Sequence, residues 1–190
     1  LPLMAASLLT SGTCTLENVP DLRDTRTMMQ LLGVFGVRTS LEGGRLEIDA
    51  SRIESYEAPY EIVRTMRASI YAFGPLLARF GRARVSMPGG CAWGPRPIDL
   101  HLRGLSALGA SIGIEHGFID ATAERLRGAE VSFTIPSVGA TVNVMMAAVL
   151  AEGTTLLRNA AMEPEVVALA DVLIRMGADI VGAGIGLAAH

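Results

Sequence analysis

Apolar and polar residues follow the same order three times along the chain. Each time, an Ala-rich apolar stretch leads through a glycine to a short alternating segment, and a helical pattern ending at a second glycine comes next. Apolar residues at nearly every helical position are typical of helices that are buried almost all round. The sequence therefore predicts three buried helices, around residues 3–9, 67–79 and 142–151.

The glycines mark the repeat. In each block the first glycine leads into a segment that alternates like a half-exposed strand. These segments are Thr13–Glu17, Arg82–Ser86 and Thr154–Arg158. The second glycine is Gly36, Gly109 or Gly177, where a left-handed residue would end the preceding helix. Because the blocks recur about every 70 residues, we interpret them as copies of one α/β unit.

Two further segments, Arg45–Asp49 and Phe118–Asp120, also alternate as strands do. Each unit then holds a buried helix, a strand, an amphipathic helix and another strand. This order predicts an α/β domain with apolar helices at its centre and sheets outside. We place the units at approximately 1–55, 56–130 and 131–190. No Ser/Gly linker separates them, so the 190 residues are interpreted as one domain.

Composition limits the possible functions. The formal net charge is −3, only 5% of residues are aromatic, and no basic cluster occurs, which argues against nucleic-acid binding. No run approaches the length of about 18 apolar residues that a membrane span requires, so we expect no membrane segment. All 16 basic residues are Arg, which excludes a Schiff-base lysine or a P-loop lysine in this chain.

Cysteine use points to a compartment. The two cysteines are far apart, which predicts neither a disulfide framework nor a zinc site and favours a reducing, cytoplasmic location. The chain begins with Leu1 rather than Met, so we expect the native N-terminus to be missing.

The segment Pro88–His101 has the composition of a shaped loop, with three Gly and three Pro. Cys91 would lie at its tip, where nearby cations could tune the thiol, and Arg96 and His101 are the candidates. An inert, buried thiol and a solvated arginine are the alternatives. Asp99 and His101 alternate with apolar residues, which fits a strand or a first helical turn with one polar side, and Asp99 could simply cap a helix.

Two other places could bind a ligand. Pro136–Thr141 precedes an apolar helical segment, so its backbone N–H groups and a hydroxyl cap could form an anion site, although simple capping is the alternative. Arg67 lies among apolar residues and must reach a partner or solvent, because a buried unpaired charge is costly. Glu57 or Glu61 could be a structural partner, and a ligand is the other possibility.

Three segments together indicate a family. Thr65–Ile70, Val85–His101 and Pro136–Thr141, in this order and spacing, closely resemble the UDP-N-acetylglucosamine 1-carboxyvinyltransferases, which are enolpyruvyl transferases. The resemblance extends over nearly the whole chain and implies the inverse α/β prism fold. It also implies transfer of the enolpyruvyl group of phosphoenolpyruvate to the 3-hydroxyl of UDP-N-acetylglucosamine, in peptidoglycan synthesis, with no metal or organic cofactor.

The resemblance implies residue roles as well. Cys91 would donate a proton to phosphoenolpyruvate, Arg96 would neutralise anionic oxygens, and Arg67 would meet the UDP-sugar. The implied substrate-binding residues are Arg67, Arg96, Pro97, Ile98, Asp99, Leu100, His101, Ile135, Pro136, Ser137, Val138 and Gly139. Some family members carry a lysine where Ile135 and Pro136 stand here. A second domain of the same enzyme, which would supply further catalytic groups, is the implied partner.

Two other functions stay open. A 5-enolpyruvylshikimate-3-phosphate synthase shares the implied fold, but that enzyme lacks the Pro-Gly-Gly-Cys loop and relies on lysines that are absent here. A non-catalytic module that binds a nucleotide sugar or a protein belongs to a different class. Turnover with phosphoenolpyruvate would separate an enzyme from a binding module.

Overall fold

The computed structural model describes residues 1–87, 98–184 and 187–189, and these form three sheets, one from each repeated block. The first sheet has three strands in the order β1-β3-β2, and the other two have four strands each, in the orders β4-β5-β7-β6 and β10-β11-β9-β8. The strands are β1 Thr13–Leu16, β2 Arg38–Glu42, β3 Arg45–Asp49, β4 Glu57–Ala58, β5 Arg82–Ser86, β6 Ser111–Glu115, β7 Phe118–Thr122, β8 Glu130–Ser132, β9 Thr155–Arg158, β10 Ile180–Val181 and β11 Leu187–Ala189.

The three sheets share one topology. In each, the strand after the first glycine (β1, β5 or β9) pairs antiparallel with the last strand of its unit (β3, β7 or β11). That last strand also pairs antiparallel with the strand that follows the amphipathic helix (β2, β6 or β10). Strands β4 and β8 add a parallel edge to the second and third sheets. The same order of connections three times confirms the predicted α/β repeat.

The predicted apolar helices lie at the centre. They contact one another: α4 contacts α6 and the first 3-10 helix, and α6 contacts the second 3-10 helix. Every residue from Ala140 to Ala148 is buried, so this helix contributes side chains to the core on all its faces. The central helices are α1 Pro2–Ala6 with the first 3-10 helix Ser7–Leu9, the second 3-10 helix Arg67–Ala72 with α4 Phe73–Phe80, and α6 Val138–Ala148.

The remaining helices lie between the centre and the sheets, and their ends agree with the glycine pattern. They are α2 Arg23–Val34, α3 Tyr60–Val63, α5 Asp99–Ala107 and α7 Pro164–Arg175. The long ones end with the same backbone bonds: Val37 N–H donates to Leu32 O at 3.0 Å, and Ala110 and Ala178 make the equivalent bonds. The intervening glycines have φ of 92°, 95° and 104°. These are Schellman-type ends, and they confirm the predicted helix stops.

Two predicted helix boundaries are wrong. The segment 67–79 is not one α-helix, because Pro75 lacks the N–H that a helix interior requires; the chain forms a 3-10 helix to Ala72, and Pro75 falls in the first turn of α4. The third central helix begins at Val138 rather than near 142 and ends at Ala148. The Ser137 hydroxyl sets this earlier start by accepting from Ala140 N–H at 3.3 Å.

Candidate functional site

A cavity of about 550 Å³ lies where the second 3-10 helix meets the beginnings of α5 and α6. All ten predicted site residues that the structure describes line it: Arg67, Ile98, Asp99, Leu100, His101, Ile135, Pro136, Ser137, Val138 and Gly139. Three segments that are far apart in sequence therefore share one wall. Cys91, Arg96 and Pro97 belong to residues 88–97 and lie outside the described residues.

The beginning of α6 presents backbone donors to this cavity. Ser137 is the N-cap and Val138 and Gly139 open the first turn, where N–H groups have no carbonyl partner within the helix. The positive end of the helix dipole lies at the same place. The Ser137 hydroxyl accepts from the Ala140 N–H, so the N–H groups of Val138 and Gly139 stay available to an anion. The capping role and the anion site predicted from the sequence are therefore compatible.

Arg67 is an exposed cation at the rim of the cavity. The two carboxylates considered as structural partners are engaged elsewhere: Glu61 pairs with Arg64 at 3.0 Å, and Glu57 pairs with Arg84 at 3.3 Å. Within the described ranges no carboxylate lies in ion-pair distance of Arg67. Its guanidinium is therefore available to an anionic ligand.

His101 is buried, with 6% of its surface exposed, while Asp99 at the start of α5 is exposed. Desolvation, followed by the positive charge of Arg67, lowers the pKa of His101 from 6.5 to about 4, although Asp99 opposes this shift. The imidazole is consequently neutral at pH 7, which favours Arg96 over His101 as the cation that tunes Cys91; because Cys91 and Arg96 lie outside the described residues, that role stays a prediction. The N-cap of α5 is Ile98 and Asp99 lies in the first turn, so the alternative that Asp99 is the N-cap of this helix is wrong.

The His101 ring packs against Gly139, where no side chain is present. A Cβ at this position would lie 3.2 Å from His101 Nε2 and 3.3 Å from its Cε1. The ring therefore packs directly on the first turn of α6, and the absence of a side chain at Gly139 lets two helices approach at the cavity floor.

Sequence reasoning missed several lining residues. Tyr71 lines the cavity four residues after Arg67, and burial raises the pKa of its phenol above the ordinary value. Its spacing of four residues from Arg67, in a segment predicted to be an α-helix, was a signal available in the sequence. Glu163, immediately before α7, and Thr134 also line the cavity, and no motif indicated either. Asn143 lies behind the wall as a polar residue in an apolar helix, which was a signal available in the sequence.

A second, larger groove of about 1020 Å³ lies near the carboxyl ends of α4 and α5. It is lined by none of the predicted site residues. Two of its three arginines have structural partners: Arg79 donates to the carbonyls of Leu8, Thr10 and Ala50, and Arg125 pairs with Glu152. We assign the candidate site to the smaller cavity because all ten described candidate residues line it and because the first N–H groups of α6 face it.

Two structural features bear on the expectations from composition. No helix in the described part of the chain is long and apolar enough to cross a membrane. Within residues 1–87 and 98–184, His, Cys, Asp and Glu side chains form no group of three or more that could hold a metal ion.

Three α/β units packed around buried central helices, with the candidate cavity at the starts of α5 and α6, are the architecture expected of an enolpyruvyl transferase fold. The chain belongs to the EPSP synthase (3-phosphoshikimate 1-carboxyvinyltransferase) family, whose model matches residues 1–188. Among curated relatives, the UDP-N-acetylglucosamine 1-carboxyvinyltransferases of Desulfosudis oleivorans and Chlorobium luteolum are 57% and 59% identical, over 97% of this chain. The chain spans 44% of the length of each of these relatives.

Solved structures agree on the fold. The enolpyruvyl transferase NikO from Streptomyces tendae matches 99% of this chain with a TM-score of 0.85 at 25% identity, and the match covers 44% of NikO. An EPSP synthase from Acinetobacter baumannii matches 98% of the chain with a TM-score of 0.75 at 19% identity, a likeness that concerns the fold alone. The expected enolpyruvyl transferase fold is confirmed.

Proposed function

We propose that this chain is the part of an enolpyruvyl transferase that binds UDP-N-acetylglucosamine and provides the acid for the reaction. The observation that carries the proposal is the convergence of all ten described candidate residues on one cavity. The named activity of relatives at 57–59% identity supports it. Because the chain spans 44% of their length, the activity of a whole protein is part of the proposal.

The cavity has chemistry suited to a nucleotide sugar. Its volume of about 550 Å³ falls within the range of small-molecule sites. Ile98, Ile135 and Val138 offer apolar surface for a base, whereas Arg67 and the N–H groups at the start of α6 offer positive charge and donors. A ligand with a flat apolar ring and a diphosphate would use both kinds of surface.

In the proposed reaction, Cys91 donates its proton to the methylene carbon of phosphoenolpyruvate. The adjacent carbon gains oxocarbenium character, and the 3-hydroxyl oxygen of the sugar attacks it to give a tetrahedral intermediate. As the hydroxyl attacks, its proton passes to a base that the resemblance places in the second domain. Loss of a proton from the new methyl group back to the Cys91 thiolate, together with loss of inorganic phosphate, then restores the double bond. Arg96 neutralises anionic oxygens during these steps.

The cytoplasmic location that the cysteine content favours stays a prediction.

Calorimetry with Arg67→Ala tests the proposal. Loss of a charge-assisted contact should weaken binding of UDP-N-acetylglucosamine about tenfold to hundredfold. Arg64→Ala is the matched control, because Arg64 lies three residues away, does not line the cavity and pairs with exposed Glu61. The affinity of this variant should equal that of the unmodified chain. Equal affinity of the Arg67→Ala and Arg64→Ala variants would contradict the assignment.

The choice of ligand tests the alternatives. Tight binding of shikimate 3-phosphate without binding of UDP-N-acetylglucosamine would favour the activity that the family description names. Binding of the UDP-sugar by a protein of the relatives' full length, without phosphate release from phosphoenolpyruvate, would favour a non-catalytic module.

A further inference from the structure

We propose that Asn143 is a positioning residue that holds His101 as the neutral tautomer with its proton on Nε2, so that His101 donates a hydrogen bond to an acceptor oxygen of the bound ligand. The donor role rests on the proposed function, since the probe ligand is UDP-N-acetylglucosamine. The assignment of the tautomer rests on the chain alone.

Asn143 is a fully buried amide in an otherwise apolar part of α6. Burial of an amide is costly unless its hydrogen bonds are made, and here three contacts make them. Gly74 N–H donates to Oδ1 at 2.7 Å, and Nδ2 donates to Ile70 O at 3.1 Å. Because Gly74 N–H can only donate and Ile70 O can only accept, these two contacts fix which end of the amide is nitrogen.

The third contact fixes the histidine. Asn143 Nδ2 lies 3.1 Å from His101 Nδ1. An amide nitrogen is a donor only, so Nδ1 must accept and cannot carry a proton. The proton of the neutral ring is therefore on Nε2. A proton on Nδ1 would place two N–H groups against each other.

The Nε2 atom faces the start of α6, beside Gly139, and His101 forms part of the cavity wall. Among the described residues, the hydrogen bond of the His101 ring is the one that its Nδ1 makes with Asn143, which leaves Nε2 for a ligand. A polar group on a side chain that is only 6% exposed gains most from a partner that the ligand brings. The neighbouring groups, namely the first N–H groups of α6 and the guanidinium of Arg67, are also donors. The ligand group at this point must therefore be an acceptor, such as a phosphate or carbonyl oxygen.

Nitrogen-15 NMR of the imidazole rings tests the tautomer on the unmodified chain, which contains three histidines. At pH 7 we expect His101 to show an unprotonated Nδ1 and a protonated Nε2, with His116, exposed in the turn between β6 and β7, as the internal reference. Asn143→Asp should reverse the His101 pattern, because a carboxylate accepts a hydrogen bond from a protonated Nδ1. A protonated Nδ1 in the unmodified chain would overturn the role of Asn143, whether or not the Asp variant folds.

Two variants of His101 test the donor role. His101→Gln places an amide donor near the position of Nε2 and should keep most of the affinity for UDP-N-acetylglucosamine, whereas His101→Leu should weaken it about tenfold. His116→Gln is the control and should bind unchanged. Equal affinity of the folded Gln and Leu variants would refute the donor role. If the unmodified chain does not bind the UDP-sugar, the proposed function and the donor role both fail, and the NMR pattern alone decides on Asn143.

Discussion

The lowered pKa of His101 couples folding to pH. In the folded chain the pKa is about 4, because of burial and then Arg67, against an ordinary value of 6.5. Between these values an unfolded chain binds a proton at this site and the folded chain does not. The contribution of His101 to the free energy of unfolding should therefore be fully present above pH 6.5 and should fall as the pH drops towards 4, by about 3 kcal/mol in total.

Urea titrations between pH 7 and 4 measure this loss. Asp49 acts in a lower pH range. Hydrogen bonds from Ser51 and then Arg38 lower its pKa from 3.8 to about 2, so its contribution to the free energy of unfolding is present above pH 3.8 and is lost as the pH falls towards 2. His101→Gln should flatten the profile between pH 6.5 and 4, while His116→Gln should leave it unchanged. A profile that keeps its slope in the His101 variant would contradict the assignment.

The sequence predicted that His101 belongs to the site, but it did not predict which residues surround the ring. The tetrapeptide Ile98–His101 predicts a polar side shared by Asp99 and His101, which is a local inference. The hydrogen-bond partner of the His101 ring, Asn143, is remote in sequence and meets it through the packing of α6 on α5. A single polar residue in an apolar helix indicates a buried network but does not identify its members.

At the scale of elements, the helix-ending glycines allow a sharp comparison. Gly109 and Gly177 have φ of 95° and 104°, and a Cβ at either would meet no atom within 4 Å. Replacement by Ala should therefore cost only the backbone strain of a left-handed L-residue, about 1–2 kcal/mol of unfolding free energy. Gly36→Ala should cost more, because its Cβ would lie 2.9 Å from Glu54 Cγ and 3.2 Å from Glu54 N.

Urea denaturation of the four single variants checks the order. Gly113→Ala in edge strand β6 is the control, since its φ is ordinary and its Cβ would have free space. We expect its stability to change by less than about 0.5 kcal/mol. Equal losses at Gly36 and Gly109 would show that Glu54 moves aside without cost.

The same scale shows what a local pattern can and cannot predict. Strand Arg45–Asp49 was predicted with its observed bounds, because alternation and the glycines before it are local signals. The break at Ala72 also had a local signal, Pro75, which the apolar pattern masked. The close approach of Gly74 to Asn143 had no local signal, because the two residues lie 69 positions apart in the sequence. Their backbones are so close that a Cβ at Gly74 would lie 2.3 Å from the Asn143 carbonyl oxygen.

At the scale of the whole molecule, repetition assembles the site. The central helices of the second and third units pack side by side, so the segment before α6 and the 3-10 helix before α4 meet at one end. The beginning of α5 completes the wall because α5 also packs on α6. The order of motifs in the sequence could predict that these segments share a site, but only the packing of the units determines which side chains face the cavity.

The 190-residue chain by itself should bind the UDP-sugar without turning it over. The cavity offers binding groups, yet the chain spans 44% of its relatives' length, and the family resemblance implies that a second domain brings further catalytic groups. Orientation of the reactants and stabilisation of developing charge usually contribute most to catalysis, and both need groups on each side of the substrates. We therefore expect calorimetry to detect UDP-N-acetylglucosamine binding while a phosphate-release assay with phosphoenolpyruvate detects negligible turnover.

A protein of the relatives' full length that contains this chain should release phosphate, and Cys91→Ala in it should abolish release. Robust release by the 190-residue chain, lost on Cys91→Ala, would show that these residues already hold the complete catalytic set.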